Sequence, residues 1–157
     1  MKLGDKEYAR YLGGLMANFH SLEFILRAFL QELPTAKPIS ISSGTNLFSS
    51  PVGTELPENE ITSYDSLGQL IGKFNSVMES RGLAEIDKTL VDVRDALAHG
   101  RVSADSPNDT LLLLKFDKPV NGRVRVVFNE KLTKPWFDAQ IKRVHEAILL
   151  VVKNVKS

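Results

Sequence analysis

Apolar residues recur at intervals of three and four along the first part of the chain, from about Asp5 to Leu33. This spacing places them on one face of a helix, so the sequence predicts a long amphipathic first helix. Pro34 follows and ends it. The pair Gly13-Gly14 lies inside this segment and predicts a local kink or a close contact with another helix.

Two further segments with the same period follow. The second helix is predicted from Ser63, a suitable N-cap, to about Ser80. The third is predicted from about Leu83 to His99, with Gly100 as a C-terminal stop. Its apolar stripe is the most regular in the chain and consists of Leu83, Ile86, Leu90, Val93 and Leu97.

The period changes after the third helix. Residues 111–116 and 123–128 flank Asn121-Gly122, a strong signal for a two-residue β-hairpin turn. The second of these arms alternates basic and apolar residues, as expected of a strand with one exposed face. A hairpin is therefore predicted within residues 110–130.

A fourth helix is predicted after Thr133, with Pro135 in its first turn. Residues 34–62 are rich in Ser, Pro and Gly and show no period, so they are predicted to form a long connection. The predicted architecture is a single, mostly α domain over residues 1–157, a four-helix bundle with a hairpin inserted between its third and fourth helices.

Composition narrows the functional classes. The chain has 157 residues, 43% hydrophobic and 25% charged, and a formal net charge of +1. One globular domain is expected, and any attraction to nucleic acid must come from a local patch. Cysteine is absent, which excludes disulfides, thiolate metal sites and a cysteine nucleophile. No signal peptide or membrane-spanning run is recognised, so we expect a cytoplasmic protein without membrane contact.

The end of the predicted third helix carries the segment with chemical information, Arg94 to Gly100 (RDALAHG). It resembles the signature of HEPN domains, in which a His follows an Arg by four to six residues and a polar residue comes directly after the Arg. In that family the motif lies toward the end of a late helix of an up-and-down bundle. The long first helix with Glu23 and Arg27, and a last helix that closes the bundle, also resemble this family.

The resemblance implies metal-independent RNA cleavage without a cofactor, at a site where the motifs of two subunits of a homodimer meet. The ribose 2′-hydroxyl would attack the adjacent phosphate. His99 would act as general acid or base, because imidazole titrates near neutral pH. Arg94 would hold the scissile phosphate, and Asp95 would orient His99 or hold the hydrogen-bond network. Family analogy alone adds a role in defence or as a toxin with an antitoxin partner.

Helical geometry supports only part of this site. Asp95 and His99 are four residues apart and lie on one helix face, away from the apolar stripe. Arg94 lies about 100° round the helix from Asp95. An ideal helix does not bring Arg94 and His99 together, so a bent helix end, the reach of Arg94 or a partner subunit must close the gap.

Plainer interpretations of the same residues stay open. Arg94 is also suited to a pair with Asp92 or Glu23, and His99 to capping the end of its helix. Glu23 either supports the motif from the first helix or forms a surface pair with Arg27. No metal site is predicted, because the order of acidic and His residues is the reverse of the bundle carboxylate motif.

Basic residues concentrate on the predicted hairpin. Lys115, Arg123 and Arg125, together with Arg101 after the motif, are predicted to contact the phosphates of a bound RNA. The alternative is a solvated face or a protected strand edge. No aromatic platform accompanies these charges, so a dedicated RNA-binding module is not predicted from the hairpin alone.

Two functional hypotheses follow. The first is a dimeric, HEPN-like endoribonuclease. The second is a non-catalytic HEPN-like module that binds a partner protein, RNA or a nucleotide through the hairpin and the Ser/Pro-rich connection. The chain has no Gly-rich phosphate loop, nucleophile elbow or HExxH motif, so kinase, hydrolase and zinc-protease functions have no support.

Overall fold

The computed structural model describes residues 2–39, 47–104, 106–107 and 109–155. In chain order its elements are α1 (Asp5–Gln31), a 3₁₀ turn (Leu47–Ser49), α2 (Leu67–Ser80), α3 (Thr89–His99), β1 (Arg101–Ser103), β2 (Leu112–Phe116), β3 (Val126–Lys131) and α4 (Lys134–Asn154). The predicted mostly α class is confirmed. Residues 40–46 of the predicted long connection lie outside the described part.

The two longest helices, α1 and α4, pack side by side and run in the same direction. Near their N-terminal ends the ring of Tyr11 stacks on Phe137, with 5.6 Å between centroids. Toward their C-terminal ends Phe24 and Ile148 line one groove. Strict alternation of four helices would make the first and last antiparallel, so the predicted up-and-down bundle is not confirmed. The chain reaches the start of α4 through the sheet instead.

The core lies between the helices and one face of the sheet. Burial of each large apolar side chain stabilises the fold by about 1.5–3 kcal/mol. The largest fully buried side chains are Phe19, Phe74, Phe137, Leu15, Leu22, Leu26, Leu70, Ile71, Met78, Leu90, Leu113 and Leu132. In contrast, Gly13 and Gly14 are exposed, and a Cβ at either position meets no atom within 4 Å. The expected close helix contact at this pair is therefore not made.

The second helix starts later than predicted, because its N-cap is Ser66 and not Ser63. The Ser66 hydroxyl accepts a hydrogen bond from the Gln69 backbone N–H at 3.3 Å, and the Gln69 side chain accepts one from the Ser66 N–H at 2.8 Å. This reciprocal pair is a capping box. The Ser63 hydroxyl instead accepts a hydrogen bond from Arg27 at 2.8 Å.

The third helix also starts later than predicted, at Thr89 and not at Leu83. Asn75 on α2 is 3% exposed, and its side chain accepts from the Ile86 N–H at 2.8 Å and donates to the Ile86 carbonyl at 2.9 Å. These two bonds satisfy the Ile86 N–H and carbonyl, so Ile86 does not need the hydrogen bonds of a helix. Leu83 is 47% exposed, so it does not belong to the buried stripe.

Asp87 lies two residues before the start of α3. Its carboxylate accepts hydrogen bonds from the backbone N–H and the hydroxyl of Thr89, at 2.9 and 2.8 Å, and from Arg143 of α4 at 2.8 Å. These bonds, the backbone one foremost, hold the pKa of Asp87 below its ordinary value. The start of α3 is thereby attached to α4.

The predicted hairpin is confirmed as β2 and β3. The turn residues Asn121 and Gly122 have φ of 50° and 72°, the left-handed conformation that a tight two-residue hairpin turn requires. The second arm is displaced from the predicted 123–128, because β3 spans Val126–Lys131 and the ladder shifts register between Lys115 and Phe116. A short strand that was not predicted, β1, pairs antiparallel with β2 and gives the strand order β1-β2-β3.

We predict that Asn75→Ala lowers the free energy of unfolding by about 2 kcal/mol, because the Ile86 N–H and carbonyl lose their buried partners. Chemical denaturation followed by circular dichroism measures the change. Ser76→Ala is the matched control: its hydroxyl bonds the Gly72 carbonyl on the exposed face of α2, so its effect should stay within about 0.5 kcal/mol. Equal effects of the two variants would contradict the role given to Asn75.

Candidate functional site

The end of α3 packs directly against the backbone of β2. The Gly100 N–H donates to the Ala96 carbonyl at 2.7 Å and closes the helix. A Cβ at Gly100 would meet that same carbonyl oxygen, lie 2.7 Å from Leu113 Cδ1 and lie 2.9 Å from the Leu114 carbonyl oxygen. Only glycine therefore fits at this contact without displacing the strand. The constraint is steric, since φ of Gly100 is −74°.

Four charged side chains meet beside this helix end, and we call them the motif cluster: Glu23, Arg94, Asp95 and Lys115. Arg94 Nε lies 3.6 Å from a Glu23 carboxylate oxygen, and another guanidinium nitrogen lies 3.5 Å from Asp95 Oδ1. Lys115 Nζ lies 3.9 Å from Asp95 Oδ2. Elements α1, α3 and β2 thus each contribute to one cluster of two carboxylates and two cations.

The ion pairs of the motif cluster are loose. Charge-assisted hydrogen bonds are usually about 2.7–2.9 Å long, and all three pairs are longer. The four side chains are 23–38% exposed, so water screens their attraction, and each pair contributes little to stability. Arg94 is therefore not fixed in place by a tight partner.

Glu23 lies next to the motif helix, which is one of the two alternatives left open for this residue, and it pairs with Arg94. The alternative pair between Glu23 and Arg27 is not formed among the described residues. Arg27 donates to the backbone carbonyls of Ser63 at 3.0 Å and Asp65 at 2.8 Å. It therefore anchors the end of the long connection to α1.

His99 is the last residue of α3 and is exposed. Its carbonyl accepts a hydrogen bond from the Arg101 guanidinium at 2.9 Å, which folds Arg101 back over the helix end. Within the described part of the chain, the imidazole has no hydrogen bond or ion pair, and Asp95 is paired with Arg94 and Lys115. The structure thus joins Arg94 and Asp95 in one cluster and leaves His99 outside it.

The predicted substrate-binding cations are in different settings. Arg123 and Arg125 are exposed on the distal part of the hairpin, while Lys115 points toward α3 and is 27% exposed. The link between Lys115 and Asp95 was not anticipated from the sequence. The sequence held one signal for this contact: side chains alternate along a strand, so Lys115 lies on the same sheet face as the buried Leu113.

Two further observations concern the described residues as a whole. They contain no group of three or more His, Asp or Glu side chains placed to hold a metal ion. None of their helices combines the length and the apolar character needed to cross a bilayer.

Comparisons with known proteins return no match: no family model, no curated protein and no solved structure resembles this chain significantly. The resemblance to HEPN domains therefore stays a prediction from the sequence.

We predict that Gly100→Ala lowers the free energy of unfolding by about 2 kcal/mol, because the added methyl group forces apart α3 and β2. Gly13→Ala is the matched control with the opposite sign: in the exposed helix interior, alanine should stabilise the protein by about 0.5–1 kcal/mol. Thermal and denaturant unfolding of both variants measure the difference. A neutral Gly100→Ala would show that the strand yields at no cost.

Proposed function

We propose that this chain is a HEPN-like, metal-independent endoribonuclease that acts as a homodimer. The observation that carries the proposal is the setting of Arg94: a partly exposed guanidinium in loose ion pairs, five residues before an exposed His at the same helix end. Such a guanidinium can exchange its carboxylate contacts for phosphate oxygens, which match the planar fork of its donors.

The proposed reaction is internal transesterification of RNA. The ribose 2′-hydroxyl gives its proton to a base, the bond from O2′ to phosphorus forms, and the bond from phosphorus to O5′ breaks. The departing O5′ takes a proton from an acid, which leaves a 2′,3′-cyclic phosphate and a 5′-hydroxyl. His99 moves these protons, and Arg94 offsets the negative charge that develops on the phosphate oxygens.

A second copy of the chain completes this chemistry. Each motif supplies one His, while the reaction uses both a base and an acid, so two motifs that face each other across a two-fold axis supply the pair. Glu23 and Asp95 support Arg94 in each copy, and Arg101, Arg123 and Arg125 contact the flanking RNA phosphates. A toxin or defence role in the cytoplasm, with an antitoxin as partner, belongs to this proposal by family analogy.

A non-catalytic binding module is the second candidate. Exposed apolar side chains on the hairpin favour it, because contiguous apolar surface is a feature of protein-binding sites. Val120 is 69% exposed, and Phe116, Val124 and Val126 are exposed as well. In that case the hairpin binds a partner protein, and the motif cluster has no catalytic role.

We expect purified protein to cleave total RNA in excess EDTA, and His99→Ala and Arg94→Ala each to reduce cleavage by about 100-fold or more. Both variants should keep the wild-type circular dichroism spectrum, because both side chains are at least partly exposed. Gel analysis of the products and detection of the cyclic phosphate ends measure the reaction.

His145→Ala is the matched control, because His145 is an exposed histidine of α4 outside the motif, and this variant should cleave like wild type. Equal cleavage by wild type and His99→Ala would assign the activity to another site or to a contaminant. No cleavage by any form, across RNA substrates of varied sequence, would favour the binding module.

A further inference from the structure

We propose that Lys115 is a positioning residue of the motif: its charge draws the Asp95 carboxylate away from Arg94, so that the guanidinium stays free to offset the charge that develops on the phosphate in the transition state. This inference rests on the proposed RNA cleavage. It assigns Lys115 a different task from the hairpin cations Arg123 and Arg125, and it makes the hairpin part of the site.

The fold directs Lys115 toward α3. Alternate residues of a strand point to the same face, so Lys115 faces the way that the fully buried Leu113 faces. The contact at Gly100 holds β2 against the end of α3. Asp95 lies five residues before that contact, and the Lys115 ammonium comes to 3.9 Å from its Oδ2.

The two oxygens of Asp95 face different cations. Oδ1 is directed to Arg94 at 3.5 Å and Oδ2 to Lys115 at 3.9 Å. Without Lys115, the carboxylate keeps only Arg94 as a cationic neighbour in the motif cluster and is drawn closer to it. A guanidinium closed onto Asp95 and Glu23 would offer fewer donors to the phosphate oxygens as their charge increases in the transition state. Lys115 therefore acts on the substrate through Asp95 and Arg94.

The charges of the motif cluster agree with this role. With Lys115 present, two cations balance two carboxylates, and Arg94 is not surrounded by excess negative charge. Removal of Lys115 leaves two carboxylates around a single guanidinium. The negative charge that develops on the phosphate oxygens in the transition state would then be less well offset, while the exposed hairpin cations still attract and bind the RNA.

A positioning role and a phosphate-binding role predict different kinetics. Loss of a phosphate contact weakens RNA binding and lowers the salt dependence of the affinity, because fewer counterions are released. Loss of a positioning residue lowers kcat while binding is largely kept, since the misplaced group is needed mainly in the transition state.

The test compares Lys115→Met and Lys115→Arg with Arg125→Met in steady-state cleavage of one defined RNA. We expect Lys115→Met to lower kcat by roughly tenfold with KM within about twofold, and Lys115→Arg to restore most of kcat because it keeps a cation beside Asp95. Arg125→Met should instead raise KM. Thermal unfolding shows whether each variant is folded. If Lys115→Met does not fold, the test rests on Lys115→Arg, which keeps the positive charge.

Two further measurements complete the test. In a His99→Ala background, fluorescence anisotropy of labelled RNA gives the slope of log affinity against log salt: Lys115→Met should leave it unchanged, and Arg125→Met should reduce its magnitude by about one. In an Asp95→Asn background, Lys115→Met should have no further effect on kcat, because the carboxylate that it restrains has lost its charge.

The contradicting outcomes are distinct. A higher KM and a smaller salt slope for Lys115→Met would make Lys115 a phosphate ligand and overturn this inference alone. An unchanged kcat for Lys115→Met, or an additive effect with Asp95→Asn, would also overturn it alone. Absence of cleavage by the wild type would overturn the proposed function, and this inference with it.

Discussion

The close contact between Gly100 and the β2 backbone is the constraint on which the rest of the site depends. This contact ends α3, because the strand blocks further growth of the helix. The contact also fixes the distance between α3 and the sheet. Two features follow from that distance: the next three residues join the sheet as β1, and Lys115 reaches Asp95 across the gap. A larger residue at position 100 would move all of these together.

Two partly buried arginines, Arg27 on α1 and Arg94 on α3, differ in how firmly their partners hold them. Arg27 donates to several fixed backbone carbonyls and to a hydroxyl, so its donors are occupied and its place is structural. Arg94 has only loose, partly exposed carboxylate partners, which solvent and salt weaken. The arginine with movable partners is the one suited to bind a ligand, and this contrast is independent of any family resemblance.

The sequence was informative where local chemistry decides the structure. The long stripes of α1 and α4, the Thr133 cap and the Asn121-Gly122 turn were predicted because each depends on neighbouring residues. The starts of α2 and α3 were not predicted, because residues distant in sequence determine them. Arg27 donates a hydrogen bond to the Ser63 hydroxyl, and the Asn75 side chain accepts one from the Ile86 N–H, so neither Ser63 nor Ile86 belongs to a helix. The same limit applies to the site, since Glu23 and Lys115 reach the motif only through tertiary packing.

The position of His99 determines what a single copy of the chain can do. Helical geometry separates His99 from Arg94, and the contacts of the fold do not reverse that separation, because Asp95 is engaged by two cations and the imidazole stays outside the motif cluster. A reaction that needs both residues must obtain one of them by movement of the long Arg94 side chain or from a second molecule. A second copy is the more economical source, because it supplies a second His without requiring Arg94 to reach the His99 of its own copy. The separation of Arg94 and His99 within one copy is therefore compatible with the proposed two-fold site.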